Sequence, residues 1–338
     1  MPSIRVCVVG CGYWGKNLVR AFWSLGNLYG ISDVEKETVS GLSQMYPGVK
    51  TFVDFGEVLA DPAIDAVVLA TPAESHYSYA MKALEAGKHL FVEKPLALDW
   101  QDGAEMTAKA NEFGRILMVG HLLQYHPAVV RLKELVRAGT LGRIEYIYSN
   151  RLSMGKIRRE ENALWSFAPH DFSVILSLIG HPPLQVAATG GAYLQPNIAD
   201  VTMSNLLFDR GTRAHVFVSW LHPYKEQRLV VIGSKQMAVF EDSRQDRKLM
   251  LFNKQIELKG ANLEAMKPLG VQVEIDDTEP LYLECAHFAE CVATGSQPRT
   301  PGEEGVQVLK VLQACQMSLQ LNGEPVQVAP HHPKVMAL

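Results

Sequence analysis

The chain has 338 residues, 47% hydrophobic and 20% charged, and its 32 basic and 36 acidic side chains leave a formal charge of −4. Glycine (26) and proline (18) fall well below the roughly 25–30% that marks low complexity, which excludes disordered and fibrous classes, and the acidic balance argues against nucleic acid or an acidic membrane as partner. At roughly 100–200 residues per domain the length predicts two domains. Five cysteines, an odd number with no C-x-x-C pair, predict reduced thiols, a cytoplasmic setting and no metal site. No run approaches the roughly 18 apolar residues of a membrane span, and the first apolar run enters a glycine turn without a cleavage-like site.

Short β-branched runs at 4–9, 28–32, 66–70, 89–92 and 116–119 read as buried strands, and 16–25, 35–45, 75–86 and 100–113 carry helical spacing between them. That alternation predicts parallel β-α-β units, hence an α/β, doubly wound parallel sheet. The first strand runs into Gly10-Cys11-Gly12-Tyr13-Trp14-Gly15, and Asp33 closes the second strand 18 residues past Gly15. In this setting Gly10 permits the tight turn, Gly12 lets the backbone approach a pyrophosphate, and Gly15 allows helix to pack close on strand. The helix N-terminus, with Tyr13 and Trp14 in the turn, offers its N–H groups to the phosphates. Asp33 suits ribose hydroxyls and repels a 2′-phosphate, and no arginine follows it, so NAD is expected rather than NADP.

Two further turns lie at carboxyl ends of strands, where open α/β sheets bind ligands. One carries Thr71 and Pro72 ahead of Glu74 and His76; the other carries Glu93, Lys94 and Pro95. A lysine opening such a loop beside a nicotinamide is placed for proton transfer, because partial burial eases loss of its proton. On physics alone, a solvated loop lysine carries equal weight.

After Gly120 the rhythm changes. A boundary here predicts a nucleotide domain over 1–121 and a substrate and assembly domain over 122–338. A helix at 128–138 precedes strands at 143–150, 184–193, 200–208, 212–220, 227–233 and 237–241, with helices at 281–294 and 302–321 closing the chain. Short turns between the strands predict an α+β domain on a large open, mainly antiparallel sheet. Val216, Val218 and Trp220 are expected to be left partly uncovered by the late helices, marking a subunit interface of a homodimer or homotetramer.

The motifs G-C-G-Y-W-G, A-T-P with His76 five residues past Thr71, A-G-K-H-L-F-V-E-K-P and V-G-H resemble those of the Gfo/Idh/MocA oxidoreductase family, over nearly the whole chain. The resemblance implies a Rossmann domain joined to a domain on an open antiparallel sheet. It implies that Lys94 is the catalytic or proton-relay residue, that Lys94–Pro95 is cis, and that Thr71, Pro72, His76 and Glu93 join Lys94 along the cofactor. The family's D-x-G-x-H falls on Ser166-Phe167-Ala168-Pro169-His170, so His170 matches the catalytic histidine and a serine stands in place of the aspartate. Adjacent Asp171 either takes the aspartate's part or the part is lost. Both residues are expected at the N-terminus of a helix over 172–179.

A finer likeness, carried by GYWGKNLVRAF, GHLLQYHPAV, YSNRLSMGK, ENALWSFAPHD and SWLHPYKEQR, is to bacterial UDP-N-acetylglucosamine and UDP-N-acetylglucosaminuronate 3-dehydrogenases. It implies oxidation of a sugar C3 hydroxyl for surface polysaccharide precursors, with a UDP-sugar as small-molecule partner. Such a ligand needs cations, and Arg151, Lys156, Arg158 and Arg159 lie within nine residues of one another. Asn150, Asn162 and Trp165 suit hydrogen bonding or stacking on a sugar, and His121, beside the cofactor cleft, is expected to neighbour the substrate or the nicotinamide. The rival readings are an oxidoreductase of another sugar or an inositol, and a non-catalytic NAD-binding regulator.

Overall fold

A computed structural model describes residues 4–154, 157–244, 246–253, 256–259, 262–265 and 269–328. The chain forms two compact units, the first running to His126 and taking in Thr278–Leu309. It opens with β1 (Val6–Val9), α1 (Gly15–Ser24), β2 (Leu28–Ser32), α2 (Lys36–Met45), β3 (Lys50–Phe52), α3 (Phe55–Ala60), β4 (Ala66–Leu69), α4 (His76–Glu85), β5 (His89–Glu93), α5 (Trp100–Glu112) and β6 (Leu117–Gly120). The six strands are all parallel, in the order β3-β2-β1-β4-β5-β6. β1, β4 and β6 are buried along their whole length, which is why they are unbroken apolar runs rather than alternating ones. Periodicity gave no sign of β3, a three-residue edge strand with only Phe52 buried.

Strand order reverses at β1, so the turns after β1 and β4 flank the crevice where this class of sheet binds ligands. Gly10 turns the chain there with φ +85°, and a Cβ on it would stand 2.7 Å from the Thr71 nitrogen. A Cβ on Gly15 would penetrate the Gly10 carbonyl oxygen. Both positions are closed to any side chain.

The second unit runs from Pro127 to Asp277 and resumes at Lys310. It comprises α6 (Pro127–Arg137), β7 (Ile144–Leu152), α7 (Ala163–Ile179), β8 (Gln185–Gly191), β9 (Val201–Leu207), β10 (Arg213–Ser219), β11 (Glu226–Gly233), β12 (Gln236–Glu241), β13 (Leu249–Asn253), β14 (Ile256–Lys259), β15 (Asn262–Ala265) and β16 (Val271–Gln272). Then come α8 (Pro280–Thr294), α9 (Gly302–Gln320) and β17 (Val326–Gln327). Nine strands make one sheet in the order β16-β13-β12-β11-β7-β10-β9-β8-β17, while β14 and β15 pair separately. As expected the sheet is mainly antiparallel; its one parallel pair is β7 with β10.

Register decides which side chains are covered. Val216 pairs with Ser149 and Val218 with Arg151, so these four share a face, and α7 packs on it. Val216, Val218 and Trp220 are buried there. The expectation that they are uncovered is thus overturned, because α7 packs over this face. The opposite face carries the alternate residues Tyr146, Tyr148, Asn150, His215, Phe217 and Met203, the last 43% exposed.

Packing also moves α8. Chain order assigns it to the second domain, yet Leu281, Cys285 and Phe288 enter the core of the first unit. The Phe288 ring meets Phe22 and Phe91 edge-on, at centroid distances of 6.3 and 5.6 Å. The nucleotide unit is therefore discontinuous, where a simple division at 121/122 was expected. Thr300 accompanies α8, accepting from the Val119 N–H at 2.8 Å and donating its hydroxyl to the Val119 carbonyl at 2.7 Å, which covers the edge of β6. All five cysteines are buried free thiols.

Gly15 and Gly12 serve different needs, and stability measurements separate them. Gly15→Ala is expected to cost about 2–4 kcal/mol, as for overpacking at a strained site. Gly12→Ala, whose Cβ would meet nothing within 4 Å, is expected to stay within about 0.5 kcal/mol of wild type in urea denaturation. Equal losses at the two positions would refute the assignment.

Candidate functional site

In the first unit, α1 begins at Gly15 with Trp14 as its N-cap. No side chain caps it and no acidic residue occupies its first turn, so its leading N–H groups keep their affinity for an anion. Gly12 is open, and Tyr13 is 78% exposed beside it. Asp33 closes β2; its Oδ2 accepts from the Cys11 N–H at 2.7 Å and its Oδ1 from the Glu35 N–H at 3.0 Å. This carboxylate therefore stiffens the glycine turn as well as standing where a ribose would meet it. An uncapped helix end, an unobstructed glycine and a carboxylate ending β2 fit the pyrophosphate and ribose of a dinucleotide.

The loop after β5 holds Glu93 and Lys94, and the Lys94–Pro95 peptide is cis, as expected. Glu93 is buried, accepting from Trp14 Nε1 at 2.6 Å and from the Lys94 N–H at 3.2 Å. Trp14 and Glu93 are thus engaged with each other. A Cβ on Gly120 would meet Glu93 Oε2 at 2.9 Å, so β6 ends in glycine to make room for this carboxylate. His121, next in the chain, pairs its Nδ1 with Glu304 Oε2 at 2.5 Å, both side chains largely buried. His76 is also buried, with Nδ1 2.8 Å from the Pro95 carbonyl and Nε2 2.9 Å from that of Thr71. Its ring is engaged by backbone, so it is not presented to a cofactor. The Thr71 hydroxyl accepts from Ser75 Oγ at 2.7 Å, while Pro72 is exposed.

Sequence reasoning missed Glu284 of α8, which is fully buried with neither carboxyl oxygen in a hydrogen bond. The signal was present, since Glu284 interrupts the apolar stripe of Leu281, Cys285 and Phe288. Burial, and then the charge of Glu93, push its carboxyl well above the usual range. Burial raises Glu93 as well, opposed by Trp14, Lys94 and His121.

In the second unit α7 begins at Ala163, where Asn162 Oδ1 caps the Trp165 N–H at 3.2 Å. The helix starts well before the expected 172, because Pro169 inside it masks the pattern. His170 therefore sits half-buried in mid-helix, with buried Ser166 one turn earlier. Asp171 points elsewhere: it accepts from Arg151 Nε at 2.7 Å, from Arg151 Nη2 at 3.2 Å and from Ser149 Oγ at 2.6 Å. It is held by β7 and does not stand in for the missing aspartate. The same pair withdraws Arg151, 11% exposed, from a ligand's reach.

Asn150 lies on the opposite face of β7 from Arg151, donating to Glu226 Oε1 at 2.9 Å, so alternation separates it from α7. Arg158 pairs with Glu161 at 3.0 Å, and the Arg159 N–H donates to Glu160. Lys156 lies outside the described residues. Asn162 Nδ2 and Trp165 Nε1 both donate to Gln316 Oε1, at 2.8 and 3.2 Å, a partner on α9 not anticipated from the sequence. Among the described residues no His, Cys, Asp and Glu cluster suits a metal ion.

Comparison with known proteins follows these two halves. Residues 4–121 match the family described as oxidoreductase family, NAD-binding Rossmann fold, and residues 129–239 match the GFO/IDH/MocA C-terminal domain. The chain is 28% identical to scyllo-inositol 2-dehydrogenase (NAD(+)) of Bacillus subtilis, over 96% of each chain. It is 26% identical to UDP-N-acetylglucosamine 3-dehydrogenase of Acidithiobacillus ferrooxidans, over 72% of this chain and 73% of that one. A solved structure bearing that name and species superposes with a TM-score of 0.85 at 23% identity, over 95% and 99% of the two chains. The WlbA dehydrogenase of Bordetella pertussis, solved with NADH and UDP-GlcNAcA, gives 0.78 at 23% identity, over 97% and 99%.

Glu284 makes stability depend on pH. Its folded-state carboxyl holds the proton more tightly than the unfolded chain does, so stability is full below the ordinary glutamate pKa and falls as pH rises above it. Glu284→Gln is expected to melt with wild type near pH 5 and above it near pH 8. A variant that melts below wild type at pH 8 would show that Glu284 is stabilised as a carboxylate.

Proposed function

The chain belongs to the Gfo/Idh/MocA oxidoreductase family, and on that footing we propose that it oxidises the C3 hydroxyl of a UDP-linked N-acetylhexosamine or its uronate. At the coarser level it is an NAD-dependent oxidoreductase of sugars or polyols, with an NAD-binding Rossmann unit. The observation that carries the finer reading is Lys94 in the cis-proline loop of a chain that also holds His170 half-buried on α7, in a protein similar to a UDP-N-acetylglucosamine 3-dehydrogenase. A second reading, a cyclic polyol such as an inositol, is favoured by the likeness to scyllo-inositol 2-dehydrogenase along nearly the whole chain.

In this reading Gly10, Gly12, Gly15 and Asp33 hold the cofactor, which when bound supplies the hydride acceptor. His170 takes the hydroxyl proton as general base, and Lys94 donates a hydrogen bond to the same oxygen and relays the proton onward. Of the cations expected at a diphosphate, Arg158 and Arg159 remain candidates, while Arg151 supports the helix that carries His170. Buried free thiols fit a cytoplasmic setting. Among the described residues no helix is long and apolar enough to cross a membrane.

We also propose a homodimer or homotetramer through the face of Tyr148, His215, Phe217 and Met203. The Tyr148 and His215 rings stack there at a centroid distance of 5.4 Å, and Met203 is exposed, which leaves apolar surface for a second copy.

NADH absorbance with a panel of UDP-sugars and inositols tests the substrate; turnover of inositols alone would select the second reading. On the true substrate, Lys94→Ala and His170→Ala are each expected to lower turnover about 10²–10⁴-fold with NAD affinity nearly intact. Their losses are expected to be non-additive, because both act on one oxygen. Full activity of Lys94→Ala would overturn the mechanism. Sedimentation is expected to show a dimer or tetramer that Phe217→Asp dissociates; a wild-type monomer at micromolar concentration would refute the interface.

A further inference from the structure

We propose that His76 is a positioning residue, a clip that holds the Lys94 loop against the Thr71 loop so that the two keep one fixed relation. The inference rests on the proposed role of Lys94. His76 opens α4 and is 1% exposed. Its Nδ1 lies 2.8 Å from the Pro95 carbonyl oxygen, and its Nε2 lies 2.9 Å from that of Thr71. These carbonyls belong to loops leaving β4 and β5, which are neighbours in the parallel sheet. Ring carbons do not approach oxygen this closely, since C–H···O contacts need about 3.3–3.6 Å, so the ring is oriented with its nitrogens on the two oxygens.

Lys94 is thereby bracketed. Its own N–H is held by Glu93 Oε2, and the carbonyl of the next residue is held by His76. Both acceptors facing the imidazole are carbonyls, so the clip is complete only when each ring nitrogen carries a proton. Burial foremost lowers the ring's pKa, with Lys94 on the same side and the two carbonyls and Glu74 opposing, so the neutral ring donates to one carbonyl and the second bond forms when the second proton binds. Movement of the Pro95 carbonyl would carry Lys94 with it, and misplacement by about 1 Å is enough to cost a catalytic group about 10²-fold.

Two variants each keep half the clip. An asparagine amide nitrogen takes the place of Nδ1 and preserves the Pro95 bond; a glutamine amide nitrogen takes the place of Nε2 and preserves the Thr71 bond. His76→Gln is expected to bind NAD as wild type does but to turn over about 10–100-fold more slowly. His76→Asn is expected to keep turnover at saturating NAD and to lose about 3–10-fold in NAD affinity, the worth of one hydrogen bond. NAD affinity is read by calorimetry, and turnover with UDP-N-acetylglucosamine or scyllo-inositol, whichever the panel consumes. A merely structural histidine would weaken both quantities together in both variants, and that outcome overturns the clip. Lys94→Ala run beside them separates the two claims. If it is inactive while both His76 variants match wild type, the clip fails and Lys94 stands; if it is fully active, the reading of Lys94 fails. Independently of any variant, the wild-type imidazole is expected to show a ring N–H in slow exchange by NMR, and a freely exchanging ring would overturn the proposal.

Discussion

One short hydrogen bond organises the first unit, that from Trp14 Nε1 to the buried carboxyl of Glu93. It joins the glycine turn after β1 to the lysine loop after β5, across the intervening strand β4. Burying a carboxylate costs several kcal/mol unless its lone pairs are met, and here the indole and the Lys94 N–H meet them. The same bond fixes its surroundings. A Cβ on Gly120 would crowd the carboxyl group, and Trp14 rather than a serine or aspartate caps α1, which leaves the helix end to an anion. Glu284 sits within the electrostatic reach of Glu93 with no hydrogen bond of its own. Two like charges in one dry space are mutually unfavourable, and since Glu93 has donors while Glu284 has none, the proton belongs to Glu284.

In the second unit the governing constraint is the two-residue alternation of β7. Ser149 and Arg151 face α7 while Tyr148 and Asn150 face the other way, so residues adjacent in sequence do different work. Arg151 and Asp171 form an ion pair that locks α7 to the sheet, and Ser149 supplies the third bond to that carboxylate. Removing either charge would leave the other buried and unpaired, which is why a cation and an anion that look like ligand contacts in the sequence are here a matter of architecture.

The parts legible in the sequence are those whose signals are local. The G-x-G-x-x-G turn, Asp33 and the strand–helix alternation of the nucleotide unit follow from short motifs in order, whereas the cis Lys94–Pro95 peptide was implied by the family resemblance. What was hidden depends on long-range packing. Nothing local tells that α8 returns to the first unit, that α7 lies over Val216 and Val218, or that His121 meets Glu304 and Asn162 meets Gln316. Pro169 hid the first half of α7, since proline within a helix reads as a break. His76 was legible as a motif residue but not in its role, because its acceptors are backbone carbonyls that every sequence contains.

Ser166 bears on the chemistry more than a missing motif letter suggests. A helical residue four positions before His170 lies on the same face, and a carboxylate there would favour the imidazolium and draw the proton toward the ring. Asp171 does not restore that charge, because a helix turns about 100° per residue and its carboxyl is held by Arg151 and Ser149. On the proposed mechanism a base without that carboxylate is assisted less, and the bracketing of Lys94 by Glu93 and His76 carries correspondingly more weight.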